Sequence, residues 1–263
     1  MLNSSSRKLL TSYLKQQEEL GCESLVLSSM ELLSFEQVYG EALQTGRGRA
    51  EANASPASKS PAVQTETYEE KRAALKQLYF GLQECRKCGL SRIRRKMVFG
   101  AGNAAASLMI IGEAPGEDED RQGLPFVGLA GQLLTKMLGA IDLDRQKDTF
   151  ITNILKCRPP GNRNPEDSEI LSCRPIVEQQ IEIISPKAIL LLGRIAAHEL
   201  LKTKESIARL RTQIHTYKDI PTVVTYHPAA LLRNQQYKKP AWENLQKLQK
   251  ILRDMGVYEN RTE

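Results

Sequence analysis

The sequence LMIIGEAPG occupies residues 108–116, where a short apolar run ends in a polar loop bounded by glycines. Such runs are typical of buried strands, and three more follow at residues 149–152, 188–192 and 222–225. They alternate with helical periodicity, which favours a parallel sheet covered by helices on both faces. We therefore predict an α/β fold, a three-layer α/β/α sandwich around a short four-stranded parallel sheet. The predicted helices span residues 67–84, 129–141, 167–183, 194–202 and 204–210.

The composition changes twice along the chain. Residues 1–44 have the apolar periodicity of helices and predict a helical N-terminal extension, although the acid-free start also allows a transit peptide. Residues 45–66 are rich in Gly, Ala, Ser and Pro. Because burial cannot offset the entropy of ordering such a segment, we predict a disordered linker there. The domain that contains the sheet is predicted at residues 67–263.

The composition also limits the classes of function. The chain of 263 residues has 37 Lys and Arg against 31 Asp and Glu, a net charge of +6 that permits nucleic acid as a partner. No stretch approaches the roughly 20 apolar residues of a membrane-spanning helix, so we expect no membrane association. Five cysteines and no secretory signal after Met1 indicate a reducing compartment. The predicted location is the cytoplasm of a prokaryote.

Polar segments follow all four predicted strands. GEAPGEDED follows the first strand, Asn153 and KCRPPGNRNP follow the second, GR follows the third, and HPAALLR follows the fourth. Ligands of open α/β sheets bind beyond the carboxyl ends of the strands, so we predict a functional site at this edge. His227 opens the last segment and is a candidate functional residue, whereas His198 and His215 are interpreted as structural.

Four of the five cysteines have the spacing of a metal site. Cys85 and Cys88 form a CxxC, Cys157 follows the second strand, and Cys173 comes sixteen positions later. Four thiolates are compatible with zinc or with an iron–sulfur cluster. Alternatively, Cys157 and Cys173 are small core residues, as free cysteines often are.

Charged residues are concentrated in two neighbouring segments. Residues 85–100 contain six Lys and Arg and no acid, which suits either phosphate contact or a solvated loop. Residues 113–120 contain five acids. One or two of these acids could act in a pocket, or the group could bind Mg²⁺ in a metal-dependent phosphohydrolase. A non-catalytic nucleic-acid-binding module is a third hypothesis.

Leu231 and Leu232 are adjacent apolar residues in the segment after the fourth strand, which we expect to be an exposed turn. They either pack locally or form a wedge that inserts between bases, with the neighbouring Arg233 bound to a phosphate.

Several motifs in order carry a resemblance to a known family. They are Gly112-Glu-Ala-Pro-Gly116, Gly123-Leu-Pro-Phe-Val-Gly128, Thr152-Asn153, Lys156-Cys-Arg-Pro-Pro-Gly-Asn162 and His227-Pro-Ala-Ala-Leu-Leu-Arg233. Together with the cysteines they resemble the iron–sulfur family 4 uracil-DNA glycosylases over about residues 75–252. The resemblance implies an enzyme of base excision repair that hydrolyses the N-glycosidic bond of a flipped-out deoxyuridine and leaves an abasic site.

The resemblance implies a uracil pocket lined by the backbone at Gly112 and Ala114. Phe126 is similar to the aromatic residue that stacks on uracil, and Asn153 resembles the residue that binds its Watson–Crick edge. His227 would donate a hydrogen bond to uracil O2 as negative charge develops on the leaving base.

Further roles follow from the same resemblance. Glu113, Glu119 and Asn162 match family positions near the sugar and the attacking water, and are catalytic candidates whose individual roles stay open. Leu231 matches the intercalating position, and Arg233 would bind a phosphate of the DNA.

The resemblance also implies a [4Fe-4S] cluster held by the four cysteines. Its role would be structural, because breaking a glycosidic bond requires no electrons. The implied partner is uracil-containing DNA, the implied state is a monomer, and the N-terminal extension is a candidate contact for a repair or replication protein. Two departures matter: Ala229 stands where many members carry serine, and the basic insertion of the cross-linking relatives is missing after Asn153. We therefore expect activity without a covalent uracil adduct.

Overall fold

The computed structural model describes residues 67–258. The predictions for residues 1–44 and 45–66 lie outside this range. The described residues form a mixed α/β fold in which helices pack on both faces of a central sheet. Within that range, every helix is too short or too polar to cross a membrane.

The sheet contains six strands among the described residues. They are β1 (Ala101–Gly102), β2 (Leu108–Gly112), β3 (Thr149–Asn153), β4 (Ala188–Leu192), β5 (Ile214–Tyr217) and β6 (Ile220–Thr225), arranged in the order β1-β3-β2-β4-β6-β5. The four central strands are parallel and correspond to the four predicted runs. Strands β1 and β5 are antiparallel edge strands. The prediction of a four-stranded sheet is therefore wrong in the number of strands.

Both edge strands lack the apolar runs that mark buried strands. Strand β1 has two residues, and Gly102 approaches β3 so closely that an added Cβ would overlap the Thr149 carbonyl oxygen. Strand β5 alternates exposed and half-buried residues. It turns into β6 through Lys218 and Asp219, whose φ values of 46° and 63° are left-handed. Two such residues are typical of a two-residue hairpin turn.

Eight α-helices lie within residues 67–258. They are α1 (Tyr68–Leu82), α2 (Glu117–Gln122), α3 (Leu129–Gly139), α4 (Asp167–Ile184), α5 (Arg194–Leu201), α6 (Ile207–Leu210), α7 (Pro228–Arg233) and α8 (Lys238–Asp254). The five predicted helices correspond to α1, α3, α4, α5 and a shorter α6. Helices α2 and α7 occupy segments that we predicted as loops. Helix α8 was missed, although its buried residues Ala241, Leu245, Leu248 and Leu252 have amphipathic spacing.

Successive residues of the central strands enter two different apolar clusters. Met109 and Ile111 of β2 pack in the cluster that contains residues of α1, α4 and α5. Leu108 and Ile110 pack in the cluster that contains residues of α3, α7 and α8. Because side chains of a strand alternate between faces, the sheet is the middle of three layers. The carboxyl ends of its parallel strands meet at one edge, where the predicted site residues follow them.

Candidate active site

Gly112, Phe126 and Asn153 meet at the carboxyl ends of β2 and β3. Gly112 is the register partner of Asn153 in the parallel pair. A Cβ added at Gly112 would overlap the Asn153 Oδ1 atom and lie 2.7 Å from the Phe126 Cζ atom. Glycine is therefore required where these two side chains converge.

The Glu119 carboxylate holds the loop that carries Phe126. Phe126 has a left-handed φ of 53°, a conformation that residues other than glycine rarely adopt. Helix α3 approaches this loop so closely that a Cβ on Gly131 would overlap the Phe126 carbonyl oxygen. Glu119 accepts hydrogen bonds of 2.8–3.0 Å from three backbone N–H groups, those of Gly116, Val127 and Gly128. The surrounding contacts thus fix an otherwise unfavourable backbone conformation.

The side-chain oxygen of Asn153 is buried without a hydrogen-bond partner. Asn153 is 1% exposed, and no described residue donates to its Oδ1 atom. Buried amide oxygens almost always accept a hydrogen bond, so this orphaned acceptor calls for an explanation. An N–H group of a bound molecule would satisfy it.

His227 lies beside Phe126 at the N-terminus of α7. The two ring centroids are 5.5 Å apart, and the His227 Nδ1 atom accepts a hydrogen bond of 3.2 Å from the backbone N–H of Ala229. Burial, assisted by the positive charge of Arg233, lowers the pKa of His227 to about 4. The imidazole is therefore neutral near pH 7. Because Nδ1 accepts, the proton lies on Nε2, which can donate to a ligand.

Glu113 follows Gly112 directly and is half-buried. Burial raises the pKa of its carboxyl group, and the positive charge of Arg194 partly opposes this change. No hydrogen bond joins the Glu113 carboxylate to another described residue. Ala114, the next residue, is half-buried and packs against the core.

The remaining acids of the 113–120 segment have separate partners. Glu117 pairs with Arg158 at 3.4 Å, and Asp118 pairs with Arg121. Asp120 is buried and accepts a hydrogen bond from the backbone N–H of Arg95. Among residues 67–258, no group of three or more His, Cys, Asp or Glu side chains is arranged to hold a metal ion. The carboxylates of this segment are therefore engaged by separate cations and backbone groups and are not gathered around one point.

Asn162 lies in a 3₁₀ turn after β3, and its side chain is exposed. Its Oδ1 atom accepts a hydrogen bond of 2.7 Å from the Arg158 Nε atom. No hydrogen bond in the described part of the chain joins it to Asn153 or His227. The structure thus brings together Gly112, Phe126, Asn153 and His227, while the catalytic assignment of Asn162 stays a prediction.

Comparisons with known proteins identify the family. Residues 99–253 match the family model described as the uracil DNA glycosylase superfamily. The chain belongs to the uracil-DNA glycosylase superfamily. This confirms the resemblance that the motifs indicated.

Several relatives are named type-4 uracil-DNA glycosylases. The one from Saccharolobus solfataricus is 44% identical over 179 residues, which are 65% of this chain and 83% of that protein. The one from Archaeoglobus fulgidus is 39% identical, over 64% of this chain and 87% of its own length. The one from Thermotoga maritima is 36% identical, over 66% of this chain and 93% of its own length.

The two leucines of α7 have opposite environments. Leu231 is 3% exposed and packs in the same cluster as Phe126 and Leu134, whereas Leu232 is 49% exposed. Arg233 is exposed beside Leu232. The expectation of an exposed turn is therefore wrong for Leu231, because the segment forms a helix that turns this residue toward the core. The intercalating role of Leu231 stays a prediction.

The four cysteines share one apolar cluster. Cys157 and Cys173 are buried in it, and Cys85 and Cys88 pack against it. The sulfur atoms of Cys157 and Cys173 each accept a hydrogen bond of 3.3 Å, from the Arg94 guanidinium and the Lys156 backbone N–H respectively. Burial raises the pKa of the Cys173 thiol to about 11. Donors aimed at sulfur suit a site whose cysteines become thiolates on binding a metal.

Sequence reasoning missed two cations near the cysteines. Arg94 belongs to the basic segment interpreted as phosphate-binding or solvated, yet its guanidinium bonds Cys157 and the Gln83 carbonyl oxygen. Lys156 is the first residue of the motif at residues 156–162, and its sequence context predicts no special role, yet it is 1% exposed. The apolar pair Ile154-Leu155, between the end of β3 and Lys156, is the sequence feature that indicates burial of this segment.

We predict that His227 makes stability depend on pH. Its folded pKa of about 4 lies below the ordinary value of 6.5, so between these values the unfolded chain binds more protons. The free energy of unfolding should therefore fall as pH falls through this window, by at most about 1.4 kcal/mol per pH unit for one proton. Denaturant unfolding of the parent and of the His227→Gln variant between pH 4 and 7 measures the difference.

The His198→Gln variant, which replaces a histidine of helix α5, is the control with which the slope of the His227→Gln variant is compared. An equal slope in the His227→Gln variant would show that His227 is not held neutral by burial.

Proposed function

We propose that the chain removes uracil from DNA. It would hydrolyse the N-glycosidic bond of a flipped-out deoxyuridine and leave an abasic site. The observation that carries the proposal is the buried, unpartnered Oδ1 atom of Asn153 beside Phe126 and Gly112. Membership of the uracil-DNA glycosylase superfamily and the names of the type-4 relatives support it.

Base recognition would depend on the amide of Asn153. Its oxygen would accept the N3–H of uracil, and its NH₂ group would donate to O4. Cytosine presents an acceptor at N3 and a donor at position 4, so it would leave buried polar groups unpaired. Phe126 would cover one face of the ring.

Departure of uracil would depend on His227. As the bond between the base and the sugar lengthens, negative charge develops on the base, and the Nε2–H of a neutral imidazole would stabilise that charge at O2. The contact with Ala229 already fixes the orientation and tautomer of the ring. This donor requires no protonation step before the reaction.

Of the three further catalytic candidates, Glu113 suits the water or the cationic sugar best. It follows the pocket glycine, and its carboxylate makes no hydrogen bond to another described residue, although the charge of Arg194 acts on it. Glu119 would instead position Phe126, since its carboxylate is occupied by the backbone of that loop. Asn162 would act from the rim, where its oxygen is bound by Arg158.

A [4Fe-4S] cluster would be held by Cys85, Cys88, Cys157 and Cys173. All four cysteines lie in or against one apolar cluster, and the sulfurs of Cys157 and Cys173 accept hydrogen bonds, which fits a site of four thiolates. The resemblance to the iron–sulfur family 4 glycosylases favours a cluster over zinc. When bound, it would supply a structural link between the end of α1, the segment after β3 and helix α4.

Contact with DNA would centre on the exposed end of α7. Leu231 would have to leave the core to enter a base stack, so its burial favours Leu232 as the residue that reaches the DNA. Arg233 would bind a neighbouring phosphate. Leu231 would support Phe126 from behind.

An excision assay in EDTA tests the proposed function. On a uracil-containing oligonucleotide, the parent protein should produce alkali-labile abasic sites, because hydrolysis here requires no divalent ion. The Asn153→Ala variant should lose roughly 100-fold or more in rate while keeping its affinity for undamaged DNA. No product from the parent, or full activity of the variant, would contradict the proposal.

Two glycines provide a matched pair for the pocket. Gly112→Ala should abolish most excision, because the new methyl group overlaps Asn153 and Phe126. Gly139→Ala should have the parent rate, because nothing lies within 4 Å of its added Cβ. Equal rates of the two variants would show that the pocket is elsewhere.

The leucine pair separates DNA contact from core packing. Leu231→Ala should lower the free energy of unfolding by about 2–5 kcal/mol, measured by denaturant titration. Leu232→Ala should change it by less than about 0.5 kcal/mol but slow excision from duplex DNA more than excision from single strands. If Leu231→Ala alone produces the duplex-specific defect without loss of stability, Leu231 is the wedge.

Loss of one cysteine tests the cluster. Cys157→Ala should contain little iron, lack visible absorbance and unfold several degrees below the parent, because a site that binds only the folded state stabilises it. The fifth cysteine, Cys22, lies outside the described residues and outside the four-cysteine pattern, so Cys22→Ala is the control and should match the parent in iron, spectrum and melting temperature. A Cys157→Ala protein that is equally stable and active without iron would refute a structural role.

A further inference from the structure

Lys156 has an ammonium group that is completely enclosed by the protein. The residue is 1% exposed, and its Nζ atom donates hydrogen bonds to the Asn153 carbonyl oxygen (2.9 Å), to Gln180 Oε1 (2.7 Å) and to the Thr152 hydroxyl. An ammonium group has three donors, so all are used. Because a buried charge is costly, a lysine at this position requires a reason.

The acceptors around Lys156 belong to a buried network at the end of β3. Gln180 of α4 donates from Nε2 to the carbonyl oxygen of Phe99 at 3.0 Å, and the Thr152 hydroxyl donates to the same oxygen at 2.9 Å. Both side chains are fully buried. The network therefore joins β3 to α4 and to the segment before β1. A shift of the last two residues of β3, Thr152 and Asn153, would break several of these bonds.

The backbone of Lys156 extends the network to the cysteines. Its N–H donates to the Cys173 sulfur at 3.3 Å, and the next residue is Cys157. The three acceptors of the ammonium group are neutral oxygens. Lys156 thus lies between the cysteine site and the residue proposed to bind uracil.

We propose that Lys156 is a positioning residue that acts through Asn153, an inference that rests on the function proposed above for Asn153. Its ammonium group holds the peptide from which the Asn153 side chain projects. Its backbone N–H, bonded to the Cys173 sulfur, links the same segment to the cysteine site. Misplacement of a group by about 1 Å can cost roughly 100-fold in rate, so this contact is sufficient to control base recognition.

The test is a double-mutant cycle on the full chain with its cluster. Lys156→Met keeps the length of the side chain and removes its charge and donors. Lys187→Met is the matched control, because Lys187 also donates to a backbone carbonyl, that of Met255 at 3.0 Å, but lies on the surface. The measurements are single-turnover excision of uracil, the Kd for abasic-site DNA, iron content and melting temperature, in the parent and in the Asn153→Ala background.

We expect Lys156→Met to slow excision at least about ten-fold while Kd changes less than about two-fold. In the Asn153→Ala background, the same substitution should slow excision by less than about two-fold, because the residue it acts through is gone. Lys187→Met should match its background in both series. Iron content should stay at the parent level, which separates mispositioning from loss of the cluster.

Three results would overturn the inference. The first is an excision rate of Lys156→Met equal to that of Lys187→Met. The second is an equal loss of rate in the parent and in the Asn153→Ala background. The third is a loss of rate that is proportional to the loss of iron. If Asn153→Ala itself has the parent rate, the proposed role of Asn153 fails and this inference fails with it. If Asn153→Ala is impaired and Lys156→Met is not, only the inference fails.

Gln180→Met extends the test if the Lys156→Met protein does not fold. It removes the one acceptor that lies on helix α4 and leaves the lysine in place. The same cycle with Asn153→Ala should show a smaller but equally non-additive loss of rate. An equal loss of rate on Gln180→Met in the parent and in the Asn153→Ala background would contradict the inference.

Discussion

The close approach of Gly112 to Phe126 and Asn153 is the constraint on which the site depends. Parallel pairing places Gly112 opposite Asn153, and the missing side chain leaves room for an aromatic ring and a buried amide. Other features maintain this contact. Glu119 and Gly131 hold Phe126 in a left-handed conformation, and the Lys156 network holds the end of β3. The chemistry therefore depends on backbone geometry that several separate segments enforce.

The distribution of charge around the pocket has a consistent explanation. Among the acids after β2, Glu119 bonds the loop that carries Phe126, and Glu117, Asp118 and Asp120 have partners elsewhere. Glu113, next to Gly112, makes no hydrogen bond to another described residue. Two cations near the cysteines, Arg94 and Lys156, face inward toward sulfur and backbone oxygen. The basic segment at residues 85–100 thus contributes Arg94 to internal bonds as well as exposed charges.

Much of this arrangement could be predicted from the sequence. The apolar runs located all four parallel strands, and the motifs at their ends located Gly112, Asn153 and His227, because strand direction alone brings such residues to one edge. The edge strands were missed because β1 has only two residues and β5 is half exposed. Neither buries enough apolar side chains to give the apolar run that identifies a strand in a sequence. The burial of Leu231 and Lys156 depends on tertiary packing. The six-residue helix that contains Leu231 is too short for its sequence to show which face is buried, and a lysine is ordinarily expected on the surface.

The central claim is that Asn153 and His227 bind one uracil ring together. Titration of the ¹⁵N-labelled protein with free uracil tests it most directly, by following the Asn153 side-chain NH₂ and the His227 Nε2–H resonances. We expect both signals to shift together and saturate with uracil, and to stay unchanged with cytosine. Resonances that do not shift with uracil, or that shift equally with cytosine, would contradict the joint binding of uracil by Asn153 and His227.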